Sequence, residues 1–304
     1  MPLIIPDKLP AGDLLQKENI FVMHDGAAVK QDIRPLRILM VNLMPDKAAT
    51  ETQLARVLAN SPLQVELTLV RMGTHDSKNV LEEYLETFYK TFDEIKGERF
   101  DGMILTGAPV ETLEFEEVDY WEELCAILEY SKTHVYSSMY ICWGAQAGLY
   151  YHFGINKHPL DKKVFGVFEH KVVRAHSPLM RGFDDVFWAP HSRYTQIFKS
   201  DIEAHPEIRI LAESDDAGPH ILATDNGRQI FIIGHQEYDR ETLGLEYYRD
   251  VRQGIPVEIP QNYFKEDQPG RDVIVRWRGH ASLLFANWLN YYVYQETPYD
   301  LTQL

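Results

Sequence analysis

The sequence predicts an α/β fold: a doubly wound, mostly parallel sheet flanked by helices, with a more antiparallel C-terminal half. Three observations predict it. Residues 37–44 are a near-continuous apolar run, the pattern of a strand buried on both faces, and 100–105 and the β-branched and aromatic 135–141 read as further strands. Segments of helical spacing lie between them, as right-handed βαβ crossovers require. Beyond residue 160, strand candidates follow one another with few helices between, which suits antiparallel or mixed pairing.

Taken in order, residues 1–34 carry Pro2, Pro6, Pro10, Gly12 and Gly26 among short apolar runs. They read as an N-terminal arm extended over the body or a partner subunit, leaving 35–304 as one domain. The strand at 37–44 ends at Pro45-Asp46-Lys47, and Leu54, Val57 and Leu58 give 48–60 a helical stripe. A strand at 65–72 and a helix at 80–91 follow. The strand at 100–105 leads into the loop 106–111, then a helix at 120–130 and the strand 135–141. Further strands are expected at 164–174, 186–188, 208–212, 220–224 and 229–234. Asp225-Asn226-Gly227-Arg228 predicts a hairpin, since Asn-Gly supplies positive φ angles. Helices at 241–253 and 278–292 close the chain.

Composition narrows the function classes. With 30 basic and 46 acidic residues the formal charge is −16, which disfavours nucleic acid and anionic membranes as partners. Two cysteines are too few for a disulfide scaffold, and no long apolar span occurs, so a cytoplasmic location is expected. Cys125 lies on an apolar helical stripe with acidic neighbours and reads as a packing residue.

Cys142 stands where Val135-Tyr136-Ser137-Ser138-Met139-Tyr140-Ile141 gives way to Trp143-Gly144-Ala145-Gln146-Ala147-Gly148. A β-branched and aromatic run followed by small, helix-compatible residues predicts strand, sharp turn and helix, with the thiol at a nucleophile elbow. There the helix N-terminus favours the thiolate. A buried structural cysteine is the competing reading, and the flanking small residues favour the elbow. Acyl transfer by a thiol needs a base and a group that orients the base. Gly234-His235-Gln236-Glu237, beyond an apolar run, supplies both, because residues two apart in an extended segment share a face. The histidines His191, His205, His220 and His280 lack the paired spacing of a zinc site, and no metal is expected.

These motifs, together with Asn42-Leu43-Met44-Pro45-Asp46-Lys47, Leu105-Thr106-Gly107-Ala108-Pro109-Val110, Pro190-His191-Ser192-Arg193-Tyr194-Thr195 and Gly234-His235-Gln236-Glu237-Tyr238, resemble the homoserine O-acyltransferases of methionine biosynthesis. The resemblance runs over nearly the whole chain. It implies a class I glutamine amidotransferase-like fold with Cys142, His235 and Glu237 as nucleophile, base and orienting partner. It also implies L-homoserine and an acyl-CoA as substrates, with no further cofactor. Lys163, Ser192 and Arg249 match the family's substrate-contacting positions; on residue chemistry alone they read as a strand lysine, a turn serine and a helix-surface arginine. Arg249 would clamp the homoserine carboxylate, a task suited to a planar bidentate donor. Lys47 reads equally as a pocket residue and as a helix-surface lysine. Glu111 matches the position associated with the choice between succinyl and acetyl donors, and its charge favours acetyl-CoA. The competing functions are succinyl transfer, a glutamine amidase-type hydrolase with the same triad, and a catalytically silent binding protein. A homodimer is compatible with all of these.

Overall fold

The structure, a computed structural model, describes residues 3–17, 22–24, 34–75 and 81–304. Its strands are β1 (Leu3–Ile5), β2 (Val22–His24), β3 (Leu36–Val41), β4 (Val65–Val70), β5 (Tyr89–Lys90), β6 (Phe100–Leu105), β7 (Val135–Ile141), β8 (His158–Val172), β9 (Val186–Gln196), β10 (Ile208–Ser214), β11 (Gly218–Thr224) and β12 (Gln229–Ile232). They form one sheet in the order β2-β1-β4-β3-β6-β7-β12-β11-β10-β8-β9, with β5 beside β4. Pairing is parallel from β2 through β12 and antiparallel beyond it. The expected change of texture in the second half is therefore a change of strand direction at β12.

The central strands are apolar on both faces because both faces are covered. On β3, Ile38 and Met40 join one core with Leu54, Leu58, Leu284 and Trp288, while Leu39 and Val41 join another with Leu124, Leu128, Trp143 and Leu149. Each such side chain, fully buried, contributes about 1.5–3 kcal/mol. The α-helices are α1 (Pro10–Lys17), α2 (Lys47–Leu58), α3 (Glu82–Phe88), α4 (Phe92–Ile95), α5 (Trp121–His134), α6 (Trp143–Phe153), α7 (Lys199–Glu203), α8 (Thr242–Arg252) and α9 (Arg278–Asn287), of which α1, α2 and α9 supply the first core. The second core is covered by α5 (Trp121–His134) and α6 (Trp143–Phe153).

The N-terminal segment departs from an extended arm. Leu3, Ile4 and Ile5 are buried and pair with both β2 and β4, and α1 buries Ala11 and Leu15. Pro10 opens that helix, where its missing N–H costs nothing. Gly26 lies outside the described residues. The helix expected at 80–91 is shorter: α3 (Glu82–Phe88) gives way to β5, and a capping box between Thr91 and Glu94 starts α4 (Phe92–Ile95). Residue 80 is outside the described residues. The 225–228 hairpin forms as a four-residue turn. Gly227 takes φ 66° while the Asn226 side chain accepts the Arg228 N–H at 3.1 Å. The last expected helix divides into α9 and a π-helical stretch, Trp288–Tyr294, whose Trp288 indole N–H donates to Ser137 at 3.0 Å.

Candidate active site

The loops after β3, β6, β7 and β12 meet at the carboxyl edge of the parallel strands, where open α/β sheets bind ligands. They are tied together: the Leu43 N–H donates to Thr106 Oγ1 at 2.8 Å, and the Cys142 N–H to the Ile232 carbonyl at 2.7 Å. Cys142 has φ 52° and ψ −116°, a conformation that costs a non-glycine residue about 1–3 kcal/mol. It caps α6, so the positive end of that helix lies at the thiol. Gly144 makes the turn possible, since a Cβ there would lie 2.5 Å from the Thr106 carbonyl oxygen.

His235 is fixed by its own N–H, which donates to the Pro190 carbonyl at 2.8 Å. Its Nδ1 lies 2.7 Å from Glu237 Oε1, so the ring proton on Nδ1 is held by the carboxylate and the other nitrogen is left for the thiol. His235 and Cys142 line the same cavity, close enough for the thiol to act on the imidazole. Both press on Gly107, whose added Cβ would lie 3.3 Å from Cys142 Cβ and 3.7 Å from His235 Cε1. Burial acts to lower the imidazole's pKa. The charges of Cys142 and Glu237, and the hydrogen bond to Glu237, overcome it and hold His235 well above the usual histidine value. Tyr238 stacks on the ring at 4.0 Å and 12°.

A cavity of about 420 Å³ opens over Cys142 and His235. It brings together four of the expected residues: Glu111, Lys163, Ser192 and Arg249. Glu246, which the sequence reading missed, organises them: it accepts from Ser192 Oγ at 2.7 Å and from Lys163 Nζ, and lies 3.9 Å from Arg249. Arg249 is half exposed and paired with buried Asp250 at 2.7 Å. The signal for Glu246 was present, because residues three apart on α8 (Thr242–Arg252) share a face with Arg249. Glu111 accepts from the Tyr194 N–H at 3.1 Å. Burial raises its pKa, against the Tyr194 N–H and the charge of Lys163, which act to lower it.

Lys47 points elsewhere. It is 6% exposed, donates to the Asn42 carbonyl and lies over the Tyr89 ring. Burial lowers its pKa to about 8 against the opposing charge of Glu51. It is thus neither a helix-surface lysine nor part of the cavity wall. Cys125 is half-buried and its thiol is pushed up to about 11, first by burial and then by Glu116 and Glu122.

Spacing gave no hint of a buried cluster of His170, His191 and His220, because the three come from β8, β9 and β11. Their ligand atoms lie within 4.8 Å of one another. His170 Nδ1–H donates to the Phe168 carbonyl, leaving Nε2 to accept from His191 Nε2–H at 3.0 Å. The Gly234 N–H donates to His220 Nδ1 at 3.2 Å, so the His220 ring proton lies on Nε2, where it can donate to Gln236 only with that amide turned to present its oxygen, which otherwise has no partner. His170 and His220 are engaged at both nitrogens. His191 Nδ1 is buried with no hydrogen-bond partner among the described residues, and burial holds all three imidazoles neutral.

A family model described as homoserine O-succinyltransferase matches residues 2–299. The chain belongs to that family. Within it, a homoserine O-acetyltransferase of Petrotoga mobilis is 58% identical over 304 residues, covering 100% of this chain and 98% of the relative. One of Brevibacillus brevis is 59% identical, covering 99% and 98%. The fold is also that of a glutamine amido transferase from Methylobacillus flagellatus, with a TM-score of 0.51 at 14% identity over 85% of this chain and 95% of that one. Among the described residues no helix is long and apolar enough to cross a membrane.

Proposed function

We propose that the protein transfers an acetyl group from acetyl-CoA to the hydroxyl of L-homoserine in the cytoplasm, through an acyl-thioester on Cys142. The observation that carries this reading is the Cys142–His235–Glu237 arrangement at the floor of a cavity whose wall bears Arg249 and Glu246 close together. A cation and an anion so placed complement the carboxylate and ammonium of an amino-acid substrate. The relatives' names supply homoserine and acetyl transfer.

In the first half-reaction the Cys142 thiolate attacks the thioester carbonyl, and the carbonyl oxygen gains negative charge. The main-chain N–H groups at the start of α6, which have no carbonyl partner within the helix, favour that charge. Collapse breaks the bond to the CoA sulfur, and His235 donates the proton to the leaving thiolate. In the second half-reaction His235 accepts the proton of the homoserine hydroxyl as its oxygen attacks the acyl-cysteine. The product ester leaves and Cys142 regains its thiolate, while Glu237 holds the imidazole throughout.

One base serving two steps implies ping-pong kinetics. Acetyl-CoA alone should add one acetyl mass to the intact protein, located on Cys142, and homoserine should discharge it as O-acetylhomoserine. An equal adduct on Cys142→Ala, or initial rates that demand a ternary complex, would overturn the assignment.

A further inference from the structure

Arg193 lies on β9 between two residues of the cavity wall, Ser192 and Tyr194, and the strand's alternation sends its side chain to the opposite face. There it is 2% exposed. Its guanidinium donates to the main-chain carbonyls of Thr195, at 2.8 Å, and Ala217, while Nε is buried with no hydrogen-bond partner. Among the described residues no carboxylate forms an ion pair with it. A buried cation held only by neutral acceptors is costly unless a nearby charge offsets the loss of water.

The neighbouring groups identify that charge. Contacts lead from Arg193 to the nucleophile's turn: Thr195 Oγ1 donates to Gln146 Oε1 at 2.9 Å, and the Gln146 N–H to the Cys142 carbonyl at 3.1 Å. The groups whose negative charge acts on Arg193 are Cys142 and Glu111. Around it lie the buried imidazoles of His170, His191 and His220, all held neutral by burial first, with Arg193 acting in the same direction. Beyond them stand His235 and Glu237. Burial lowers Arg193's own pKa only to about 10, so it remains a cation at neutral pH.

We propose that Arg193 is a positioning residue for the charge of the nucleophile: a fixed, buried cation that favours the thiolate of Cys142. The inference rests on Cys142 being the nucleophile. Cys142 and Glu111 are then the anions that Arg193 faces, Glu237 is paired with His235, and the neutral histidine cluster keeps further positive charge away. When Cys142 is acylated its charge is gone and His235 has passed its proton to CoA, so Arg193 no longer faces an anion at Cys142, which favours return of the thiolate as the acyl group leaves.

The test is the rate at which iodoacetamide alkylates Cys142 as a function of pH, with the adduct located by peptide mass and Tm measured beside it. Arg193→Met should shift the profile about one unit upward, roughly a tenfold slower reaction on its rising limb. Arg193→Lys keeps the charge and should leave the profile in place, even if Tm falls. Thr195→Ala, which breaks the link to Gln146 but keeps the cation, should also leave it in place. A Met variant with lowered Tm and an unmoved profile would show a structural role only. A Lys variant that moves as far as Met would show that the fork, not the charge, matters. If the Met variant does not fold, Arg193→Gln, which removes the charge but keeps a hydrogen-bond donor, takes its place: a profile moved upward supports the proposal and an unmoved one overturns it. Failure of the underlying reading is visible separately, as an acetyl adduct on Cys142→Ala.

Discussion

His235 Nδ1 and Glu237 Oε1 are 2.7 Å apart on a loop where only Gln236 separates them, and both side chains are buried. β12 ends at Ile232 and the chain turns at Gln236 and Glu237, so a turn rather than strand alternation brings the two side chains together, while Gln236 faces His220. Glu237 Oε2 is buried with no hydrogen-bond partner, so the carboxylate acts on the imidazole through one oxygen. His235→Asn should abolish nearly all turnover. Glu237→Ala should retain tens of times more kcat, the order found when an orienter rather than a base is removed from a triad. Because Glu237 raises the His235 pKa, Glu237→Gln should also move the limb of the pH–rate profile that reports the imidazole to lower pH. Equal kcat in the His235 and Glu237 variants would mean that the carboxylate does more than orient.

The backbone of Cys142 makes a prediction about stability. At φ 52° and ψ −116° a Cβ is strained, and glycine relieves that strain. Cys142→Gly should therefore be more stable than Cys142→Ala, by about 1 kcal/mol, although it removes more atoms. Thermal unfolding of the two inactive variants checks this. An alanine variant as stable as the glycine variant would mean that the turn relaxes when the thiol is removed.

Arg249 is held by buried Asp250, through Nε at 2.8 Å and Nη2 at 2.7 Å, which leaves part of its planar fork at the cavity mouth. Lysine cannot reproduce a two-pronged grip on both Asp250 and a substrate carboxylate. Arg249→Lys should raise the homoserine KM by roughly ten- to a hundredfold, the equivalent of about 1.4–2.8 kcal/mol, with the acetyl-CoA half-reaction little changed. Single-turnover acylation of Cys142 measures that half alone. Unchanged homoserine saturation would return Arg249 to an ordinary surface role.

The parts of the site that were legible in the sequence are those fixed by local backbone. Cys142 announces itself by a strand-like run ending in small residues, and His235 and Glu237 by their spacing after an apolar strand. Lys163, Ser192 and Arg249 had no such signal, since a strand lysine, a turn serine and a helix arginine are chemically ordinary. Their meeting depends on how β8, β9 and α8 converge on Glu246. Lys47 was misleading for the opposite reason: it opens a helix, where lysines are usually exposed, but Asn42, Glu51 and Tyr89 provide a polar interior that accepts it. Likewise His170, His191 and His220 are 21 and 29 residues apart, and only the antiparallel order of β8 to β11 stacks them. The short strand at 3–5 was obscured by the prolines around it, though its three apolar residues are buried in the sheet between β2 and β4.

The acyl donor is the last prediction, and it turns on Glu111. The family description names a succinyl donor and the relatives an acetyl one, so membership alone leaves the choice to the cavity. Glu111 lines the same cavity as Cys142, and the Tyr194 N–H fixes its Oε1. A succinyl group would bring a second carboxylate beside it. At ~4 Å the repulsion is on the order of 1–4 kcal/mol between water-like and surface-like dielectric, or roughly fivefold to several-hundredfold against succinyl-CoA. Acetyl carries no such charge. Lys163 opposes the effect in part and Glu246 reinforces it. Burial raises the Glu111 pKa above the ordinary carboxylate value, so the carboxyl becomes neutral at a higher pH than a solvated glutamate would. The sign follows: preference for acetyl should be weakest in acid, where Glu111 is protonated, and should grow as pH rises through its raised pKa. Glu111→Gly should gain succinyl activity and lose that pH dependence. The measurement is the ratio of kcat/KM for acetyl-CoA and succinyl-CoA in both proteins across pH. A wild type that prefers succinyl-CoA, or a glycine variant whose ratio is unchanged, would remove Glu111 as the selector and with it the case for acetyl.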